Sequence, residues 1–330
     1  MTRIGYTLMS EQSPPRSLVG YAARAEEAGF DFEVISDHYF PWLESQGHSP
    51  YAWSVLGAVT QVTRRVELMT YVTCPTRRYH PAVVAQKAAT TSLLSNGRFT
   101  LGLGAGENLN EHVVGAWPAV NVRHAMLAEA LVIITSLLEG GYVDFAGEHF
   151  HVDSARLWDL PEGHLPVAVA VSGDTGIKRF ADLADDLIAV EPDADLVSTW
   201  DELRGTRASR KIGQLPVCWG PDEDEATRTA HEQFRWFGGG WKVNAELPGP
   251  AAFAGATQFV RPDDVAGAMP CGPDLDAIVK AVREYVDAGF TDVALVQVGD
   301  EHQEAFLDVA AKELLPMLRA ELRPDGGGPG

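Results

Sequence analysis

The chain has 330 residues, with 26 Lys+Arg against 46 Asp+Glu and a formal net charge of −20. With 45% hydrophobic residues it can build a full core, which excludes a disordered chain. Its acidity excludes recognition of nucleic-acid phosphates or anionic membranes, both of which need clustered Lys and Arg.

The N-terminal segment MTRIGYTLMSEQSPP lacks the unbroken apolar stretch of a secretion signal. No run approaches the ~18 apolar residues of a bilayer span. Cys74, Cys218 and Cys271 form no CxxC pair. The expectation is a reduced, cytoplasmic protein without a disulfide framework or structural zinc.

In chain order, apolar runs rich in Val, Ile, Leu and Thr occur at 4–9, 32–36, 66–73, 99–104, 167–171, 187–190, 215–219 and 293–298. Such runs suit strands buried on both faces of a parallel sheet. Between them, 18–30, 81–94, 123–138, 223–237 and 275–288 carry apolar residues at helical spacing. Asp222 and Asp274 read as N-caps, Gly29 and Gly289 as C-caps. Residues 142–152 alternate around Ala146-Gly147, which predicts an inserted β-hairpin before strand five. The stretch 196–210 reads as polar and irregular, and 238–273, rich in Gly, Pro and Ala, as an insertion before the last helix. Eight strands with interleaved helices in a chain this long predict a (β/α)8 TIM barrel. One barrel domain over 1–322 and a disordered tail over 323–330 are expected.

In such a barrel the active site lies at the C-terminal ends of the strands. The polar residues predicted there are Ser10-Glu11-Gln12, Ser36-Asp37-His38, Thr70 to Pro75, Gly104 to Asn108 and Ser172-Gly173-Asp174. Adjacent residues at a strand end point to opposite sides, so one of Asp37 and His38 faces the pocket and the other the scaffold. Histidine suits proton transfer near neutral pH. A tight turn with a helix-start Glu accounts for Glu107 as well as a catalytic acid does. The glycines before it would let a flat ligand approach the backbone. Residues 172–176 read as a capping loop or a phosphate site. His149 and His151, two ligands without a third, make a weak metal site, and no metal is expected.

Taken together, Gly5-Tyr6 with Glu11-Gln12, Ser36-Asp37-His38-Tyr39-Phe40-Pro41-Trp42, Gly47-His48-Ser49-Pro50, Arg78-Tyr79-His80-Pro81-Ala82-Val83-Val84-Ala85-Gln86 and Gly104-Ala105-Gly106-Glu107-Asn108-Leu109-Asn110-Glu111 resemble the luciferase-like flavin and deazaflavin oxidoreductases. The likeness is to the branch of coenzyme F420-dependent glucose-6-phosphate dehydrogenases. It implies a hydride-transferring enzyme using F420. His38 would be the base that takes the substrate proton, Glu107 the acid beside the deazaflavin, and Trp42 the aromatic shaping the substrate pocket. Asp37, Asn110, Gly106, Cys74 and the pair Tyr71-Val72, where the family keeps a non-proline cis peptide, would lie at the ring. Val171, Ser172 and Gly173 would lie at the cofactor phosphate, with Arg77 and Arg78 as further cations for this polyanionic group. A homodimer is implied too.

One departure stands out. Where the sugar-phosphate enzymes place a phosphate-binding lysine after strand six, this chain reads Ala189-Val190-Glu191-Pro192-Asp193-Ala194-Asp195. Those carboxylates would repel a phosphate dianion. The expected substrate is therefore a neutral sugar or other secondary alcohol. The alternatives are an FMN-dependent monooxygenase of the same superfamily and a non-catalytic deazaflavin-binding protein.

Overall fold

The computed structural model describes residues 2–322, so the expected tail lies outside the described residues. The eight predicted runs form a closed parallel barrel: β1 (Arg3–Leu8), β2 (Phe32–Ile35), β3 (Glu67–Thr70), β4 (Phe99–Leu103), β7 (Val167–Ala170), β8 (Asp186–Ile188), β9 (Lys211–Val217) and β10 (Asp292–Gln297). The circle closes where β1 pairs with both β10 and β2, with Gly5 opposite Ala294 and Phe32. β5 (Val143–Ala146) and β6 (His151–Ala155) form a separate antiparallel hairpin before β7, as the alternation predicts. Its turn falls at 147–150, where the Glu129 carboxylate accepts the backbone N–H groups of Glu148, His149 and Phe150.

Side-chain alternation along each strand makes two apolar layers. Phe32, Val34, Met69, Ala168, Ile188, Ile212 and Ala294 fill the barrel interior. Ile4, Tyr6, Leu8, Ile35, Leu68, Leu101, Val169, Leu187, Val217 and Leu295 point out against the helices. The helices pack by the same logic. In Pro15–Ala28, Leu18, Ala22 and Ala25 are buried, and the helix stops at Gly29, whose φ of 100° lets its N–H close on Ala25. In Leu275–Asp287, Ile278, Val282 and Tyr285 are buried and the Asp274 side chain caps the start.

Among the helical segments not legible as such are Ala52–Val62, the run from Gln303 to Glu321 and Ala194–Arg204. The third corrects the reading of 196–210 as irregular. Asp193 caps it by accepting the Leu196 N–H at 3.0 Å, and Leu196, Val197 and Trp200 are buried on one face. The polar residues of that stretch are its solvent face. Among the described residues one helix, Val120–Glu139, is long and apolar enough to cross a membrane by length and composition. Here it is a barrel helix, with Leu127, Leu131, Ile134 and Leu137 in the core.

Charged residues close the N-terminal end of the barrel. Arg210 reaches Asp186 and Glu67 at 2.8 Å each, and Arg3 reaches Glu67 at 3.0 Å. The opposite end is open.

Candidate active site

At the C-terminal end the strand tips surround a cavity of about 520 Å³, within the ~300–1,000 Å³ of small-ligand sites. Its floor is Tyr71, Val72, Gly104, Ala105 and Ala170, and one side is the turn 171–176. The segment after β9 supplies much of the roof, including Trp236, Phe237, Lys242 and Glu246.

Strand parity decides the Asp37-His38 pair. Phe32 and Val34 face inward, so His38 enters the cavity while Asp37 is carried outward with Ile35. His38 joins a chain of acids. Its Nδ1 lies 3.0 Å from Glu11 Oε1 and 3.2 Å from the Phe40 carbonyl, and its Nε2 lies 3.5 Å from Glu107 Oε1. Both neighbours of Nδ1 are acceptors and lie closer than Glu107 does to Nε2, which favours the tautomer with the proton on Nδ1 and the Nε2 lone pair toward the cavity. Glu11, only 1% exposed, is fixed in turn by the Ser36 hydroxyl at 2.6 Å. Glu107 is held by the side-chain amide of Asn110. Trp42 packs beside His38 with ring centroids 4.8 Å apart and stacks on Trp236 at 4.1 Å, nearly parallel.

The structure places several expected cofactor contacts elsewhere. Asp37 is 1% exposed and lies beneath the cavity, accepting from Thr73 Oγ1 at 2.7 Å, Tyr79 OH at 3.1 Å and Trp53 Nε1 at 3.2 Å. Asn110 is fully buried; its Oδ1 accepts the Tyr39 and Phe40 N–H groups, so it shapes the loop that carries His38. Cys74 is buried against Thr76, and burial raises its thiol pKa well above the ordinary value. Arg78 is engaged by Glu111 at 2.7 Å and Asp37 at 3.6 Å, which leaves it no part in holding a ligand phosphate. Burial opposes the charge on Arg78, but the two carboxylates outweigh it and raise its pKa. Burial likewise lifts Glu111, against the pull of Arg78. Arg77 does not line the cavity either. His38, Glu107, Trp42, Tyr71, Val72, Gly106, Val171, Ser172 and Gly173 do line it.

The Tyr71–Val72 peptide is cis. The glycines of β4 answer to the chain's own β3 tip rather than to a ligand. A Cβ on Gly102 would meet the Thr70 carbonyl oxygen at 1.9 Å, and one on Gly104 the Val72 side chain at 2.6 Å. Two residues carried no assigned role in the sequence. Glu11 directly follows strand one and, with Gln12, belongs to the pattern that carries the resemblance, but without a role of its own. Trp236 lies at the end of the stretch 223–237 read as a helix, just before the insertion, and carries no local signal of its own.

A family model described as luciferase-like monooxygenase matches residues 1–292. The chain belongs to that family. It is 33% identical to an F420-dependent glucose-6-phosphate dehydrogenase of Amycolatopsis mediterranei (strain U-32) over 338 residues, 97% of this chain and 99% of the relative. It is 34% identical to a protein of the same name from Beutenbergia cavernae, over 98% of this chain and 99% of that one. Among solved structures it is similar to an F420-dependent secondary alcohol dehydrogenase in complex with an F420-acetone adduct. The TM-score is 0.85 at 28% identity, over 96% of this chain and 99% of that one.

Proposed function

We propose that this luciferase-like enzyme is an F420-dependent oxidoreductase that moves a hydride between a neutral secondary alcohol or sugar and the deazaflavin. The observation that carries the reading is the chain Glu11–His38–Glu107, buried at Glu11, with His38 Nε2 and Glu107 turned into one cavity. Full-length likeness to F420-dependent relatives supports the cofactor.

The cavity suits a flat, mostly apolar ring. Val72, Gly104, Ala105 and Ala170 give an apolar floor, and polar groups gather at the Glu107 side. Tyr71, Val72, Gly104 and Gly106 would hold the ring, and Ser172 and Gly173 the phosphate. When bound, F420 supplies the hydride acceptor. His38 Nε2 takes the hydroxyl proton of the substrate, and the resulting imidazolium is stabilised by Glu11 on Nδ1. Glu107, oriented by Asn110, holds a proton for the ring. Trp42 and Trp236 form an apolar wall that excludes water from the reacting groups. A base and an acid placed this way fit alcohol oxidation rather than oxygen activation, which sets the FMN monooxygenase reading second.

The neutral substrate rests on charge. The cavity wall holds the carboxylates Glu11, Glu107, Asp174, Glu191 and Glu246 against the cations Arg123 and Lys242. Five anions facing two cations disfavour a phosphate dianion. A cytoplasmic homodimer belongs to the same reading; exposed Val62, Val83, Leu93, Leu94 and Val132 on neighbouring helices accord with a subunit contact.

Fluorescence titration of the purified protein with F420 and with FMN tests the cofactor. Saturable F420 binding with weaker FMN binding is expected, and tight binding of FMN alone overturns the reading.

A further inference from the structure

The buried arginine of the cavity wall is occupied by the chain's own carboxylate. Arg123 has a side chain only 4% exposed, and its Nη2 donates to Glu246 Oε1 at 2.9 Å. Trp117 Nε1 donates to the other oxygen, Oε2, at 2.8 Å, and its ring lies 4.0 Å from the guanidinium carbon. Arg123 Nη1 is fixed on the Pro118 carbonyl, and its Nε is buried without a partner. Glu246 thus occupies a preformed anion seat: a guanidinium and an indole N–H aimed at one point. Its backbone is tied down as well, because Asn108, the residue after Glu107, donates to the Ala245 and Glu246 carbonyls. Lys242, four residues earlier on the same segment, lines the same cavity and has no ion-pair partner among the described residues.

We infer that Glu246 is a specificity-determining residue: its carboxylate fills an anion subsite formed by Arg123 and Trp117, on a cavity wall that also carries Lys242, and so closes the pocket to phosphorylated substrates. The inference rests on the neutral-substrate reading above. A carboxylate on Arg123 both removes the arginine as a donor and adds a like charge where a phosphate would sit. Removing Glu246 frees the Arg123 guanidinium and the Trp117 N–H, with Lys242 lining the same cavity, donors of the kind a phosphate monoester needs.

The test compares wild type, Glu246→Ala and Glu246→Gln, each first checked for an unchanged thermal midpoint. Inorganic phosphate is titrated by calorimetry, with and without bound F420, and kcat/KM is measured for 2-propanol, glucose and glucose 6-phosphate. Glu246→Ala is expected to gain saturable phosphate binding that persists with F420 bound. Its kcat/KM ratio of glucose 6-phosphate to glucose should rise about 10- to 100-fold, the scale of one charge-assisted hydrogen bond. Glu246→Gln should fall between. Adding Arg123→Lys to Glu246→Ala should remove most of the gain.

An unchanged substrate ratio and no phosphate binding in a folded Glu246→Ala protein overturn the inference. So does phosphate binding that F420 abolishes, because the seat would then be the cofactor's. A wild-type enzyme that prefers glucose 6-phosphate sinks the neutral-substrate reading instead, and that result is visible before any variant is made.

Discussion

Glu11→Gln probes the proposed proton chain with the least change in shape. The carboxylate is buried, 3.0 Å from His38 Nδ1 and 2.6 Å from the Ser36 hydroxyl. When His38 accepts the substrate proton, a full positive charge forms next to Glu11. At an effective dielectric of ~20, opposite unit charges 3.0 Å apart attract by about 5.5 kcal/mol. That is a ceiling, because the amide retains a dipole and desolvation offsets part of the attraction. The net worth of a hydrogen bond to a charged group is about 1.5–3 kcal/mol, or about 10- to 150-fold in rate. The amide has a second effect: its NH2 can turn toward Nδ1 and favour the tautomer with the proton on Nε2, where it blocks the base.

The assay is single-turnover reduction of F420 by 2-propanol in stopped flow, with F420 affinity measured separately by fluorescence. The hydride-transfer rate should fall by about 10- to 150-fold, while F420 affinity changes far less. Glu11→Asp should recover part of the rate. A Glu11→Gln enzyme that transfers hydride at the wild-type rate refutes the reasoning, because Glu11 would then be a structural carboxylate.

Four further outcomes follow from the same coordinates. His38→Ala and Glu107→Gln should each lower turnover by roughly 10²–10⁴-fold, read from initial rates at saturating F420. Asp37→Ala removes one partner from a buried charged cluster, so urea unfolding should show a loss of about 3–5 kcal/mol; a loss confined to F420 affinity would return Asp37 to the ligand site. Gly102→Ala drives a methyl into the Thr70 carbonyl and should abolish F420 binding or soluble expression, whereas a well-folded, fully binding variant would contradict the packing described.

Glu33 gives a pH prediction. It is fully buried, neither carboxyl oxygen has a hydrogen-bond partner, and desolvation raises its pKa well above the ordinary 4.5. The folded state therefore holds a proton that the unfolded chain loses. This contribution to stability is complete below about pH 4.5 and is lost as pH rises through the folded value. Glu33→Gln should therefore unfold at higher urea than wild type at pH 7–8, with the gap closing toward pH 4; an equal midpoint at pH 8 would contradict it.

The barrel was legible because buried parallel strands are written as continuous apolar runs, and all eight runs became strands. Period-two alternation also placed Asp37 and His38 on opposite sides. The family motif alone would have put Asp37 at the ligand, but parity sends its carboxylate out to Trp53, Thr73 and Tyr79. The helix Ala194–Arg204 was hidden because its buried face is carried mainly by Leu196, Val197 and Trp200 amid charged residues. The helix Ala52–Val62 was hidden for the opposite reason, being apolar on most faces. Contacts made by distant segments leave no local pattern. Glu246 meets Arg123 across 123 positions of chain, and Trp236 meets Trp42 across the barrel mouth from a segment far along the chain. The glycines before Glu107 show the same limit. Their spacing is visible in sequence, but only the coordinates show that Thr70, Val72 and Cys74 fill the space above them.

The central claim is hydride transfer from a neutral alcohol to F420 at the His38–Glu107 cavity. The most direct measurement is the loss of the deazaflavin's visible absorbance when purified enzyme and F420 meet 2-propanol, glucose or glucose 6-phosphate under identical conditions. The account predicts F420 reduction by a neutral alcohol, with higher kcat/KM than for the phosphate ester, and its loss in His38→Ala. Efficient reduction by glucose 6-phosphate in preference to the neutral alcohols, or undiminished reduction by His38→Ala, would contradict it.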